Sequence, residues 1–213
     1  MITLLILLIL FIGTYSGYKN GIILQLLRAI GYLIVFIFAL DYYKPLSEML
    51  YLLVPYPTPF FPDANPYVFY DESLILTLDL SYYYLISFLL ILFIGWIAVR
   101  VITQLISYTV EQLAIPEPLN GAGGAILGFI INYIGIFYIL LLLSLIPFDM
   151  VQGRLANSFL ADSILTSTPV VSEDNYQRFI LDAHDVAEEN RQTMDIQPPT
   201  EENNEEPSEG NEE

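Results

Sequence analysis

The sequence has 213 residues, 55% of them hydrophobic, with seven basic and 24 acidic residues that give a formal net charge of −17. A chain this acidic lacks the basic surface that nucleic-acid binding requires, and its lack of cysteine excludes disulfides, thiolate metal sites and cysteine nucleophiles. The apolar residues lie almost entirely before Val171, whereas residues 173–213 hold fourteen acidic and two basic residues. We therefore expect an all-α integral membrane protein with a polar C-terminal part.

Residues 1–43 predict a first transmembrane hairpin. The apolar stretch that begins at Ile2 can extend as a helix to about Tyr18, and neither a basic segment before it nor a small-residue cleavage site after it indicates a removable signal peptide. The second apolar stretch, 22–43, is long enough at about 1.5 Å per residue to cross a hydrocarbon core of about 30 Å.

Residues 44–79 predict an extramembrane loop rich in proline and aromatic residues. Six of the thirteen prolines fall in this segment, at Pro45, Pro55, Pro57, Pro59, Pro62 and Pro66. Prolines at this density interrupt a helix, because each lacks an N–H donor. The tyrosine and phenylalanine rings between them suit the headgroup level of a bilayer. We expect an ordered loop that lies on the membrane surface.

Residues 80–147 predict a second pair of transmembrane helices, joined by an amphipathic connector at 101–119. The third span, 82–99, begins at three consecutive tyrosines, which favour the membrane interface, and Arg100 follows it. The fourth span, 121–146, contains no charged residue, and a proline follows it directly. The sequence therefore predicts about four transmembrane helices.

The part of the chain after the fourth span is more polar. Residues 148–196 predict an amphipathic or polar region, and the Glu, Asn and Pro composition of 197–213 predicts a disordered acidic tail. Orientation follows from the basic residues, which favour the cytoplasmic side. The first hairpin and the third connection carry Lys19, Arg28 and Arg100, against Lys44 and Arg154 on the opposite side. This count predicts that both termini and the Pro-rich loop lie outside.

Small residues recur one helical turn apart at two places in the predicted spans. In lipid, such spacing lets two helix backbones approach closely. The functional interpretation is a helix-pairing or oligomerisation surface. Ordinary packing and a flexible hairpin turn are the favoured explanation, because glycine is frequent in membrane helices. The candidate packing positions are Gly13, Gly17, Gly21, Gly31, Gly124 and Gly128.

Three polar residues inside the spans are candidates for a polar path between helices or for an interfacial anchor: Gln25, Arg28 and Asn132. Arg28 needs a partner, a water-filled cavity or a route to the surface, because a charge deep in lipid is costly. It lies two turns from the predicted helix entrance, so its side chain can extend to the headgroups. Asn132 suits an interhelical hydrogen bond.

The sequence offers no set of residues for catalysis or metal binding. No Asp, Glu or His falls clearly within a predicted span, which disfavours a proton-coupled carrier. The sole histidine, His184, lies in the acidic C-terminal region, where a solvated side chain is favoured over a metal ligand. Serines such as Ser158 and Ser167 lack a histidine partner, so a hydrolytic triad cannot be assembled. We expect no enzyme activity and no cofactor.

Several motifs in order resemble the colicin V production protein (CvpA) family. The first hairpin carries Gly17-Tyr18-Lys19-Asn20-Gly21-Ile22-Ile23-Leu24-Gln25-Leu26-Leu27-Arg28, followed by Gly31. The resemblance continues at Leu119-Asn120, at Gly124-Ala125-Ile126-Leu127-Gly128, and at Ser158-Phe159-Leu160 and Thr168-Pro169-Val170. It covers roughly the first 170 residues. One position departs from the family pattern, because Ser16 stands where an arginine is expected before the first glycine, which weakens the charge-based orientation.

The resemblance implies a small multi-pass protein of the bacterial cytoplasmic membrane, associated with toxin production and envelope processes, and it brings no catalytic residues. The expected partners are the lipid bilayer and other membrane proteins or a second copy, with no nucleic acid. Such contacts would support toxin production or export, or cell-envelope maintenance. The alternative is a small oligomeric channel or passive transporter, and an anchored enzyme has the least support.

Overall fold

The computed structural model describes residues 2–57, 67–70, 72–110, 116–167 and 171–195, and these contain helices and turns but no strand. Among these described residues, three helices are long and apolar enough to cross a membrane: α1 (Ile2–Leu53), α2 (Leu78–Val110) and α3 (Glu117–Ser144). The predicted all-α membrane class is confirmed. The predicted count of four spans is not, because the first two predicted spans form the single element α1.

A break at Gly21 divides α1 into a first arm, 2–20, and a second arm, 22–53. The backbone angles of Gly21 are φ 74° and ψ 166°, which are not helical. This region of backbone space is essentially reserved for glycine, since a Cβ atom is strained there. A glycine is therefore required at the position where the direction of α1 changes.

The two arms of α1 run in opposite directions along α3. In the first arm, Gly13 faces Gly128 and Gly17 faces Gly124, so residue numbers rise in one helix as they fall in the other. In the second arm the order is parallel to α3, because Ile22 faces Gly123 and the Phe36 ring lies 6.2 Å from the Tyr138 ring. The chain thus reverses at Gly21.

The second arm also packs against α2, in antiparallel order. The side chain of Val35 fills the space above Gly95, and the side chain of Val99 fills the space above Gly31. Farther from Gly21, aromatic rings from several elements occupy the interior of the bundle. They meet at Phe88, which is fully buried, and include Phe36, Tyr43, Tyr138 and Phe179. The core therefore lies toward the end remote from the turn.

The remaining helices gather at this same end and are called the cap. They are a 3₁₀ helix (Glu72–Thr77), α4 (Asp149–Ala156), α5 (Phe159–Ser167), α6 (Val171–Tyr176), a π-helical turn (Gln177–Leu181) and α7 (Asp182–Asp195). The Phe179 ring lies 5.4 Å from the Tyr43 ring. His184 Nδ1 lies 2.9 Å from Thr77 Oγ1, which joins α7 to the 3₁₀ helix. The predicted tail, 197–213, lies outside the described residues.

The structure corrects the boundaries of the predicted loop and connector. The predicted loop, 44–79, begins only after Leu53, because α1 continues through Pro45. One proline removes one helical N–H, and near a membrane surface water can satisfy the carbonyl left free. The predicted connector, 101–119, is helical in α2 up to Val110, and α3 begins at Glu117. Pro118 lies in the first turn of α3, where no N–H partner is needed.

Candidate functional site

The first arm of α1 and α3 meet along a line of glycines, here called the glycine seam (Gly13, Gly17, Gly21, Gly124 and Gly128). A Cβ atom on Gly17 would overlap the Gly124 carbonyl oxygen and lie 3.0 Å from Gly128 Cα. A Cβ atom on Gly128 would lie 2.6 Å from the Gly13 carbonyl oxygen. Backbone therefore contacts backbone along the seam, and a larger residue at its centre would force the helices apart.

Two asparagines flank the seam at its ends. Asn132 fills the space above Gly13 and donates from Nδ2 to the Gly128 carbonyl oxygen over 2.7 Å. Asn120 lies beside Gly21 and accepts a 2.8 Å hydrogen bond from the Ile22 N–H at its Oδ1. Ile22 is the first residue after the break, where a helix leaves its N–H groups without intrahelical partners. Asn120 thus caps the second arm from a different helix.

The predicted packing position Gly31 lies outside the seam. It is in the second arm, faces α2, and a Cβ atom there would lie 2.8 Å from Val99 Cγ1. The structure therefore places five of the six candidate glycines in one interface and the sixth in another.

Arg28 is buried between the second arm and α2, with 5% of its surface exposed. Its Nε donates to Thr103 Oγ1 over 3.2 Å, and one terminal nitrogen lies 3.5 Å from Gln25 Oε1. Both partners are neutral. Within the described part of the chain, the ion pair that forms joins Arg191 to Glu188 and does not involve Arg28. The guanidinium therefore has neutral hydrogen-bond partners and forms no ion pair with any of the residues that the structure describes.

A cavity of ≈ 500 Å³ opens next to Arg28 at the end of the bundle that carries the Gly21 turn. Arg100 also lines it, and its guanidinium carbon lies 4.8 Å from the centre of the Trp96 ring. The remaining lining residues are Ser16, Asn20, Val101, Gln104 and Leu105. The polar side chains converge here from both arms of α1 and from α2.

Of the three predicted polar candidates, the structure brings two together. Gln25 and Arg28 are both buried and in contact. Asn132 is directed instead at the first arm, where it contacts Gly13. The sequence analysis did not single out Thr103 or the lining residue Gln104, and it named Asn120 only as part of the family motif Leu119-Asn120. Thr103 follows Arg100 by three residues, so the sequence alone indicates that the two side chains lie on the same face of a helix.

The family model described as colicin V production protein matches residues 2–169. This chain belongs to the colicin V production protein family. It is similar to the uncharacterized transmembrane protein YshB of Bacillus subtilis (strain 168), with 31% identity over 172 residues that cover 81% of this chain and 93% of that protein. No solved structure matches the chain. The resemblance expected from the hairpin and glycine motifs is confirmed.

The match to the colicin V production protein family spans the glycine seam, the Arg28 cavity and the cap as far as α5. The α6 helix, the π-helical turn and α7 lie beyond it. These later elements nevertheless contribute to the core, since Phe179 and Ile180 are buried. The C-terminal helices of this family member therefore complete a core that its family segment begins.

The cap of this family member contains a second polar cluster, where α3 ends. Gln152 donates from Nε2 to the carbonyl oxygens of Ser144 and Ile146, over 2.9 and 2.8 Å. It also accepts from the Val68 N–H at 3.3 Å. Tyr70 and Ser144 share a 2.8 Å hydroxyl contact. Gln152 of the cap thereby satisfies the carbonyl of Ser144, the last residue of α3, and that of Ile146 just beyond it.

Two tyrosines that follow α1, Tyr56 and Tyr67, are paired through their hydroxyl groups. Tyr56 and Tyr67 share a short hydrogen bond, and the Tyr56 hydroxyl also lies 3.2 Å from the Leu145 carbonyl oxygen. Burial raises the pKa of both hydroxyls above the ordinary tyrosine value, because the phenolate is poorly solvated there. Both tyrosine hydroxyls are therefore uncharged at physiological pH. Their hydrogen bonds join the residues that follow α1 to the end of α3.

Proposed function

We propose that this chain is a non-enzymatic, multi-pass protein of the bacterial cytoplasmic membrane. In this proposal it supports toxin production or export, or cell-envelope maintenance, through contacts with other membrane proteins or a second copy of itself. Family membership supports the part of this proposal that describes a multi-pass membrane protein. The two arms of α1 would each cross the bilayer, since 19 residues of the first arm span about 28 Å as a helix. Both termini and the cap would lie outside.

The observation that carries this proposal is the extent of apolar surface left on the outside of the bundle. Four apolar side chains of the second arm are each more than half exposed: Leu33, Ile34, Ile37 and Phe38. The glycines of the seam are already occupied by contacts inside the chain. Contacts with neighbours would therefore use the outer faces of the helices, which lipid covers when no partner is bound.

Site-specific photocrosslinking in native membranes tests this proposal. A photoreactive residue at Ile37 or Ile94, which are 55% and 59% exposed, should capture a second membrane protein or another copy. The matched control is Phe88, which lies inside the bundle with 0% exposure and should give no intermolecular product.

Measurements on cells that carry a variant connect the crosslink to the proposed role. Ile37→Trp keeps the helix apolar but changes its outer shape, so it should abolish the crosslink and raise sensitivity of the cells to detergent or reduce toxin secretion. Recovery of lipid adducts alone from outer positions on all three long helices would contradict the proposal. So would a lost crosslink with an unchanged envelope and unchanged secretion.

A second candidate function is a small oligomeric channel or passive transporter, which the polar cavity beside Arg28 favours. Aromatic side chains fill the opposite half of a single copy, with Phe88 fully buried. A conducting path would therefore run between copies. Proteoliposomes should then show solute flux that Arg28→Ala changes. Vesicles that stay tight to ions and small solutes, for both the native chain and the variant, would remove this candidate.

A further inference from the structure

We propose that the cavity between Arg28 and Arg100 binds a phosphate group, such as that of a phospholipid headgroup. Arg28 supplies a buried cationic group whose hydrogen-bond partners are neutral, and Arg100 supplies a second one on the same cavity. Two guanidinium groups that line one polar space repel each other, and the attraction of an anion between them offsets that repulsion. Arginine forks match phosphate oxygens in geometry as well as in charge.

The other lining groups suit the same ligand. Ser16 and Gln104 contribute a hydroxyl and an amide, which can donate hydrogen bonds to anionic oxygens. Asn20 donates from Nδ2 to the Ser16 carbonyl oxygen over 2.6 Å and lies 3.2 Å from the Ser16 hydroxyl oxygen, so it holds the rim in place. The cavity volume of ≈ 500 Å³ falls within the range of roughly 300–1,000 Å³ that small-molecule sites occupy.

The depth of the cavity agrees with a headgroup. Position 84, the last of three tyrosines at the cap end of α2, precedes Arg100 by about 24 Å of helix at about 1.5 Å per residue. A hydrocarbon core is about 30 Å thick, so a core that begins level with position 84 would end about 20 residues later, beside the cavity-lining residues Gln104 and Leu105. Trp96, which is 41% exposed, stacks under the Arg100 guanidinium, and tryptophan favours that boundary. Arg28 is hydrogen-bonded to Thr103, which follows Arg100 by three residues in α2.

Native mass spectrometry of the full chain in a non-ionic detergent tests the site. Dioleoylphosphatidylglycerol is titrated as the probe, and dioleoylglycerol, which has the same acyl chains and no phosphate, is the matched control. The native chain should retain the phospholipid and not the diacylglycerol. Arg100→Gln and Arg28→Gln should each weaken binding tenfold or more, because each removes a charge-assisted hydrogen bond. Arg28→Lys should fall between, since it keeps the charge but loses the fork.

Control variants distinguish loss of binding from loss of folding, and competition with inorganic phosphate identifies the source of the phosphate group. Arg154→Gln, at an exposed position in the cap, should bind like the native chain. Arg100 is exposed, so Arg100→Gln tests the site even where Arg28→Gln fails to fold. Inorganic phosphate at millimolar concentration is then added. Displacement of the lipid assigns the site to a soluble phosphate compound, and retention assigns it to the headgroup. Equal lipid retention by the native chain, Arg100→Gln and a folded Arg28→Gln would overturn the proposal.

Discussion

The glycine seam makes a quantitative prediction at its centre. In Gly17→Ala the new methyl group would overlap the Gly124 carbonyl oxygen and lie 3.0 Å from Gly128 Cα. Both obstructing atoms belong to backbone, so no side-chain rotation relieves the overlap, and α3 must move away from the first arm. Overpacking of a well-packed interface costs typically 1–3 kcal/mol. We expect Gly17→Ala to lower the free energy of unfolding by about 2–3 kcal/mol, at the upper end of that range.

The chain provides two matched comparisons for this substitution. Gly135 lies in the same helix, α3, and a Cβ atom there would meet nothing within 4 Å. Gly135→Ala should therefore be neutral or stabilising by up to about 1 kcal/mol, since alanine favours helix over glycine. Gly13→Ala meets the side chain of Asn132 instead of backbone. The amide end of that side chain can rotate away, whereas its Cβ atom, 2.9 Å from the new methyl group, cannot. The loss should therefore be smaller than at Gly17.

Unfolding by sodium dodecyl sulfate in mixed micelles, followed by circular dichroism, measures these free energies. A double-mutant cycle adds the sharper test: Asn132→Ala should recover part of the loss in Gly13→Ala and none of the loss in Gly17→Ala. If Gly17→Ala and Gly135→Ala have the same effect, the close backbone approach is wrong. If Asn132→Ala rescues both seam variants equally, the assignment of the obstructing atoms is wrong.

Three further predictions concern the Gly21 turn, its cap residue Asn120, and the Tyr56–Tyr67 pair. Gly21→Ala should lower the midpoint of detergent-induced unfolding, because Gly21 has a φ of 74° that strains any residue with a Cβ atom, at about 1–3 kcal/mol. Asn120→Ala should cost about 1–3 kcal/mol by leaving the Ile22 N–H without its acceptor, and Asn120→Asp, which keeps an acceptor oxygen, should cost less in the same assay. The raised pKa values of Tyr56 and Tyr67 predict that their stabilisation is complete below about pH 10 and is lost as pH rises above it. Thermal unfolding measured between about pH 8 and 11 should show that decline, and Tyr56→Phe should make it shallower.

The helical membrane class could be predicted from the sequence because it depends on local properties. Long apolar stretches without charges are sufficient to indicate helices that cross lipid. The family was recognised from the order of short motifs such as those at Gly17 and Gly124. These features require no knowledge of which segment packs against which.

Partner choice and exact boundaries could not be predicted in the same way. The hydrogen bond from Ile22 to Asn120 joins residues 98 positions apart, and nothing in either local segment specifies the other. The four-residue glycine spacing in the first arm did not reveal that α3 would face it. Pro45 suggested the start of a loop, yet α1 passes through it, because the cost of one lost hydrogen bond is smaller than the gain from continuing the helix.

The glycine seam and the Arg28 cavity share the turn at Gly21 and the helix that follows it. Gly21 belongs to the seam, and the second arm begins at Ile22, where Asn120 of α3 fixes the first N–H. Arg28 follows Ile22 on the same rigid helix, less than two turns away. We expect the position of the second arm to depend on these contacts with α3. A substitution in the seam that separates the first arm from α3 should then weaken the hydrogen bond between Arg28 and Thr103, and phospholipid binding by Gly17→Ala measures that effect.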